Sequence, residues 1–316
     1  MSTRETGKRV IAPLRVAVVT YSPGEHLRRF LDTLEIATTQ PYEVVLADNG
    51  SIDGAPEAAV KAGRARLLRT GGNLGYGAAS NRAVVGATST WVVVANPDVA
   101  WTPGSLDELL DAASRWPQAG AVGPAIRTPE GDLYPSARAL PSLGRGIGHA
   151  LVGWWWPSNP WTSGYRGERG TPVEEPVGWL SGSCLLLRRA AFEAVGGLDE
   201  SYFMFMEDLD LGERLGAAGW LSVYAPSAVV EHTGGHSWRR APSRMLYHHH
   251  RSVYRYLSRR YDGPALAPLR AIIAAGLTGR FIGSLVVHRI GRGAAPTRRA
   301  ELLESPAPDS DKANRP

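Results

Sequence analysis

Residues 15–48, RVAVVTYSPGEHLRRFLDTLEIATTQPYEVVLAD, read as a strand, a helix and a second strand. The runs RVAVVTY (15–21) and EVVLAD (43–48) are short, β-branched and nearly continuously apolar, as strands buried in a parallel sheet are. Between them, GEHLRRFLDTLEIA sets Leu27, Phe30, Leu31 and Leu34 on one helix face. The pattern continues outward, with ARLLRT (65–70), WVVVAN (91–96) and AVGPAI (121–126) as strands and GSLDELLDAASRW as a helix. Strands spaced by helices imply a doubly wound α/β domain with right-handed crossovers. Ligands of such sheets bind beyond the carboxyl ends of the strands.

The turn after the first strand, TYSPGEHL, has no G-x-G-x-x-G, which weighs against a dinucleotide enzyme. The second strand runs into LADNGSIDGA, where Asp48, Asn49, Ser51 and Asp53 are short acceptors for a base N–H or a sugar hydroxyl and Gly50 and Gly54 permit the turn. GGNLGYGAASN is glycine-rich and opens a helix, which suits a backbone that approaches a ligand closely. VVVANPDVAW brings Asp98 off the end of a buried strand beside Pro97. FMFMEDLDLGERL (203–215) crowds Glu207, Asp208, Asp210 and Glu213 behind an apolar run that reads as buried and strand-like. Asp208 is there either the N-cap or first-turn acid of a helix or an active-site carboxylate. Asp210 and Glu213 lie on other faces of that helix, solvated or salt-bridged.

The chain has 316 residues, 43% hydrophobic and 21% charged, the balance of a globular protein. Cys184 is the one cysteine, which excludes an intrachain disulfide and a cysteine metal cage and points to a reducing compartment. MSTRETGKRVIAP holds no apolar export signal, so a cytoplasmic protein is expected. Residues 236–300 carry 13 Arg against the single acid Asp262, whereas residues 1–235 are net acidic. An anionic surface is the expected partner of that basic segment. No nucleic-acid recognition motif accompanies it, so nucleic acid is not expected.

The stretch 127–176, rich in Pro, Gly and Trp, is long for a linker and reads as a functional excursion. Order resumes with VGWLSGSCLLLRR, the helix AAFEAVGG with its glycine stop, and LSVYAP and AVVEH as two short strands. Past residue 240 come two helices broken at DGP. The uncharged run between Arg270 and Arg280 is nine residues, against about 20 for a membrane span. Arg270, Arg280, His288 and Arg292 fall within an arc of about 120°, so the helix either lies on an anionic membrane or packs on the domain. His248, His249 and His250 are consecutive on a helix and point apart, so no metal site is expected there.

VAVVTYSPGEHLRRFLDTL, VVLADNGSIDG, GGNLGYGAASNRA, VVVANPDV, GWLSGSCLLLRRAAFEAVGGLDESYFMFMEDLDLGERLGAAGW and VVEHTGGHS together resemble the GT-A, family 2 glycosyltransferases over about residues 14–260. Within them the motifs are most similar to the rhamnosyltransferases that act on polyprenyl-diphosphate-linked N-acetylglucosamine in actinobacterial cell walls. The resemblance implies that Thr20, Tyr21, Asp48, Asn49 and Asp53 meet the nucleotide base and ribose, and that Asn73, Gly75 and Asn81 meet the diphosphate and ribose. Asn96-Pro97-Asp98 occupies the place of a D-x-D motif, with Asp98 matching the acid that holds the cation and Asn96 replacing the first carboxylate on the donor side. Metal binding, by Mn2+ or Mg2+, then leans on Asp98, a histidine and the diphosphate. His232 matches the late metal ligand, with a buried histidine bonded to a carbonyl as the other reading, and His236 is a second candidate. Glu207-Asp208 matches the family's acidic pair, whose second member is the base and whose first faces the acceptor. Trp179 matches a position near the acceptor, though a core tryptophan fits as well; Trp154–Trp156 and Trp161 suit acceptor contact or an interfacial anchor equally.

The expected fold is α/β, GT-A, a Rossmann-like and mainly parallel sheet with a helical basic C-terminal extension. The expected divisions are a flexible lead (1–13), a GT-A domain (14–240), membrane-associating helices (241–292) and a disordered tail (293–316). The expected partners are dTDP-L-rhamnose, a polyprenyl-diphosphate-linked sugar acceptor and the inner face of the cell membrane, self-association being left open. A UDP-hexose or UDP-galactofuranose donor, and a non-catalytic nucleotide- or glycan-binding domain, remain as alternatives.

Overall fold

The computed structural model describes residues 13–141, 172–234 and 242–290. Its elements in chain order are β1 (Leu14–Thr20), α1 (Glu25–Leu34), β2 (Tyr42–Asp48), α2 (Ala55–Lys61), β3 (Arg66–Arg69), α3 (Tyr76–Val84), β4 (Trp91–Ala95), β5 (Val99–Trp101) and α4 (Ser105–Arg115). There follow β6 (Ala119–Arg127), β7 (Leu133–Tyr134), β8 (Ala137–Arg138), β9 (Glu175–Val177), β10 (Trp179–Leu180), β11 (Cys184–Arg188) and α5 (Arg189–Ala194). The last are α6 (Glu207–Ala217), β12 (Leu221–His232), α7 (Pro242–Arg260), a 3-10 turn at Pro264–Leu266 and α8 (Ala267–Ile290). His236, the tryptophans at 154–156 and 161, and the expected lead (1–12 of it) and tail lie outside the described residues.

The main sheet runs β3-β2-β1-β4-β11-β6-β12-β5. Pairs β1–β2, β1–β4, β2–β3 and β6–β12 are parallel. β11 is antiparallel to both β4 and β6, and it separates two strands that a simple doubly wound sheet would set side by side. The cause lies in the chain after β4: Asn96-Pro97-Asp98 turns it away from the sheet, β5 pairs at the far side against β12, and β11 fills the space beside β4. Residues 221–232 form one strand with an irregularity between Ala225 and Val229, where two short strands were expected.

Alternate residues of the strands feed two cores, as the two-residue strand period requires. Val16, Val18 and Val93 face one cluster with Leu27, Phe30, Leu31 and Leu34 of α1 and Leu106 and Leu109 of α4. Ala17, Val92 and Val94 face the other with Ala79 and Ala83 of α3, Phe192 of α5, and Leu211 and Leu215 of α6. The α1 face expected from its spacing is the buried face.

Helix α7 lies across the segment that precedes α6. His248 stacks on Phe203 at 4.1 Å between ring centroids, His249 meets Phe205 edge-on at 5.5 Å, and the Ser252 hydroxyl donates to the Met204 carbonyl at 2.9 Å. Farther along, Tyr256 donates to Glu213 Oε2 at 2.7 Å, and Arg259 and Arg260 pair with Asp199 and Glu213. The run FMFM is therefore not a buried strand: its four residues are half-buried bends, and Phe205 and Met206 both hold φ near +70°. An apolar run carries no mark of its backbone angles, and here α7 rather than the core covers it.

Helix α8 packs on α7 through Phe281, which contacts Tyr247 and His250. Residues Pro264–Leu285 are long and apolar enough to cross a membrane by length and composition, and none of that window is buried. The sequence expectation set a span aside because of the two arginines. Arg270 donates to the carbonyls of Tyr261 and Gly263 at the start of the helix. Of the expected basic stripe, Arg280 is exposed, and the side chains of His288 and Arg292 lie outside those described.

Candidate active site

β1, β2 and β3 end in register, with Thr20 opposite Asp48 and Asp48 opposite Arg69. Asp48, 1% exposed, accepts from the Thr20 hydroxyl at 3.1 Å, the Ser51 N–H at 3.0 Å and the Arg69 guanidinium at 3.2 Å. Asn49 donates to the Gly75 carbonyl at 3.1 Å and accepts from the Thr70 hydroxyl, which joins the turn after β2 to the glycine-rich loop. Asp53 accepts from the Gly24 N–H at 2.6 Å and holds the turn after β1 against the turn after β2. Tyr21 stands 48% exposed at the rim, and Asn73 accepts from the Gly75 N–H at 3.2 Å. The expected nucleotide residues thus share one sheet edge, with buried polar groups that shape its turns and an open rim above.

Asn81 is placed differently. Its amide donates to the Leu198 carbonyl and Glu200 and accepts from the Leu198 N–H, so both ends are used in latching α3 to the loop at 197–200. Both amide hydrogens and one lone pair of its oxygen are therefore engaged within the protein, where a contact with the diphosphate and ribose was expected. Its neighbour Gly75 is fixed by close approach: φ is +90°, and a Cβ there would stand 2.2 Å from the Phe203 carbonyl oxygen.

The same carboxyl edge continues through β4 and β12. Asp98 Oδ1 lies 3.1 Å from His232 Nε2, and the Asn96 amide lies 3.3 Å from that nitrogen. His232 is brought there because it ends β12 opposite Val99, one residue beyond Asp98. Burial would raise the Asp98 carboxyl, but the hydrogen bond and charge of His232 outweigh it and hold Asp98 below the usual carboxylate value.

Asn96 also donates its backbone N–H to the Ser183 carbonyl at 2.9 Å, and the adjacent Gly182 N–H donates to Asp208 Oδ2 at 2.9 Å. The segment Ser181–Ser183 thereby links the Asn96-Pro97-Asp98 turn to the acidic pair. Asp208 Oδ1 accepts from the Leu209 N–H at 2.8 Å, so one carboxylate oxygen satisfies a first-turn donor of α6 while the other is held across the site. Burial raises the Asp208 carboxyl, and the two backbone donors oppose that rise. Glu207 is 6% exposed, and its Oε2 has no hydrogen-bond partner among the described residues. Burial first and the Asp208 charge second push its carboxyl well up. Two neighbouring carboxyls in one buried place favour a single negative charge between them.

Asp210 and Glu213 are salt-bridged, to Arg214 and Arg260. Trp179 is 7% exposed and sits among Tyr202, Leu209 and Tyr256, with Gly212 of α6 against its backbone. It supports α6 from below instead of presenting an open ring to a sugar. Sequence reasoning passed over Tyr76 and Gly182. Their signals were a tyrosine directly after a glycine-rich loop and the small triplet SGS ahead of a buried strand.

The model of glycosyl transferase family 2 matches residues 15–196, and that of a glycosyltransferase-like family 2 matches residues 173–251. An N-acetylglucosaminyl-diphospho-decaprenol L-rhamnosyltransferase of Mycobacterium tuberculosis is 58% identical over 303 residues, covering 92% of this chain and 98% of that protein. A rhamnosyltransferase of Escherichia coli is 26% identical, covering 78% of this chain and 92% of its own. Among solved structures, a mannosyltransferase of Pyrobaculum calidifontis in complex with GDP-Man and Mn2+ shares the fold with a TM-score of 0.51 at 20% identity, covering 93% and 79% of the two chains. GalNAc-T7 with UDP, GalNAc and Mn2+ gives 0.52 at 14% identity, covering 71% and 44%.

Proposed function

The chain belongs to glycosyl transferase family 2, and we propose that it moves L-rhamnose, with inversion, from dTDP-L-rhamnose to N-acetylglucosaminyl-diphospho-polyprenol at a membrane surface. The observation that carries this reading is one sheet edge on which Asp98 meets His232 and a held carboxylate, Asp208, lies a short hydrogen-bonded path away. The 58% identity to a rhamnosyltransferase of that acceptor class supports the choice of sugar and acceptor.

The donor set fits a divalent cation. Asp98 Oδ1 and His232 Nε2 are 3.1 Å apart, about the separation of two adjacent ligands on a cation with bonds near 2.1 Å. Asp98 and His232 would hold the cation, with neutral Asn96 beside them and oxygens of a nucleoside diphosphate to complete the set, and the imidazole would favour Mn2+ over Mg2+. Such a cation would supply neutralisation of the charge that develops on the leaving diphosphate.

Asp208 takes the proton of the acceptor hydroxyl as that oxygen bonds to the anomeric carbon on the face opposite the leaving group. The bond from that carbon to the β-phosphate oxygen breaks, and dTDP leaves with the electron pair. Burial makes Asp208 a stronger base than a free aspartate, while Gly182 and Leu209 keep its ionised form hydrogen-bonded. Glu207 holds the proton of the pair and donates it, as a hydrogen bond, towards the acceptor sugar.

A lipid-linked acceptor gives α8 a role. Its exposed Ile272 and Ile282 and the exposed Arg280 suit an anionic bilayer surface. The contacts of Phe281 with α7 favour a helix lying on that surface over one crossing it. The test is turnover of dTDP-L-rhamnose, UDP-glucose and UDP-galactofuranose with the lipid acceptor, read by mass. Preference for dTDP-L-rhamnose supports the proposal; preference for a UDP-sugar overturns it.

A further inference from the structure

We infer that Tyr76 is a positioning residue that couples the glycine-rich loop to the carboxylate of Asp208, an inference that rests on the reading of Asp208 as the base. Tyr76 is the first residue of α3, directly after the loop. Its backbone N–H donates to the Phe203 carbonyl at 2.9 Å, just ahead of the left-handed pair Phe205–Met206 that leads into α6. Its hydroxyl donates to the Gly182 carbonyl at 2.6 Å. The Gly182 N–H, on the same residue, holds Asp208 Oδ2 at 2.9 Å.

One side chain and its own backbone therefore grip both segments that frame the acidic pair. Both segments are close-packed beside the glycines that flank the grips. A Cβ on Gly75 would stand 2.2 Å from the Phe203 oxygen, and a Cβ on Gly182 would lie 3.2 Å from the Asp208 Cβ and 3.6 Å from Tyr76 Cε1. Burial above all, with the nearby acids Glu207 and Asp208 adding to it, keeps the Tyr76 hydroxyl protonated, so it stays a donor throughout the working pH range. A loop ordered by a nucleoside diphosphate then orders α3 at its first residue, and Tyr76 passes that order to Gly182 and Asp208. The base and the donor loop thereby share one anchor, so a donor that tightens the loop also tightens the segment that holds the carboxylate.

Tyr76→Phe tests this, since it keeps the ring and removes only the hydroxyl. The expected result is a kcat about tenfold lower with the KM for the sugar nucleotide within about twofold of wild type and a melting temperature lowered by only a few degrees, as the loss of one buried hydrogen bond requires. An unchanged kcat, or a loss of nucleotide binding equal to the loss of kcat, overturns the inference. A second measurement needs no turnover: amide hydrogen exchange at Gly182 and at residues 203–209, with and without dTDP or UDP in the presence of Mn2+. Nucleotide-dependent protection in the wild type that is lost in Tyr76→Phe supports the coupling, whatever the donor sugar proves to be. Equal protection in the two proteins, or none in the wild type, overturns it. If neither dTDP-L-rhamnose nor another donor is turned over, the function proposed above fails while the exchange result still decides the role of Tyr76.

Discussion

Replacing Glu207 by glutamine should uncouple stability from pH by an amount that the structure sets. The Glu207 carboxyl is 6% exposed, with one oxygen unpartnered among the described residues, and burial with the adjacent Asp208 pushes it from 4.5 to about 8. Between those two values the folded protein keeps a proton that the unfolded chain has released. Stability from this group is therefore complete below about pH 4.5 and declines as pH rises towards 8, by about 1.4 kcal/mol per unit. The amide introduced by Glu207→Gln is nearly the shape of the protonated acid and does not titrate. From pH 5 to pH 8, the stability of Glu207→Gln relative to wild type should rise by about 3.5 kcal/mol. Urea unfolding of both at each pH, with m-values compared to verify a common unfolding transition, measures it. Two stability curves that stay parallel over this range would refute the buried, proton-holding Glu207.

Three further outcomes are expected. Asp98→Ala and His232→Ala should each weaken dTDP binding about tenfold or more with Mn2+ present and leave metal-free binding unchanged; equal losses in both conditions, read by calorimetry, would remove the pair from the metal site. Ile272→Glu with Ile282→Glu places acids at positions 70% and 54% exposed, so folding should be spared. Sedimentation with vesicles containing anionic phosphatidylglycerol should nevertheless fall about tenfold or more, and undiminished sedimentation would free α8 of that role.

Much of this architecture was legible because single faces carry it. Leu27, Phe30, Leu31 and Leu34 recur at the helical period and are the buried residues of α1, and the strand ends that hold Thr20, Asp48 and Asp98 follow from buried apolar runs that stop at turn residues. The insertion of β11 was not legible, because CLLLR is apolar on both faces and such a run encodes neither partner nor direction. FMFM misled for a related reason: hydrophobicity registers that a segment is covered, and it is silent on the left-handed angles at Phe205 and Met206 and on α7 as the cover. Asn81 and Trp179 share the residue types of ligand contacts, yet their neighbours Leu198 and Gly212, distant in sequence, use them for packing and latching. Asp208 raised the question of a cap against a base, and in the fold one of its oxygens accepts from the first-turn N–H of Leu209 while the other is held by Gly182 across the site.

The most direct measurement is the rate of deoxyhexose transfer from dTDP-L-rhamnose to N-acetylglucosaminyl-diphospho-polyprenol by purified wild-type protein and by Asp208→Asn, with Mn2+ and product mass as the readout. The account predicts steady transfer by the wild type and a loss of about 10²-fold or more in kcat for Asp208→Asn, with dTDP binding retained. Transfer by Asp208→Asn at the wild-type rate would contradict it.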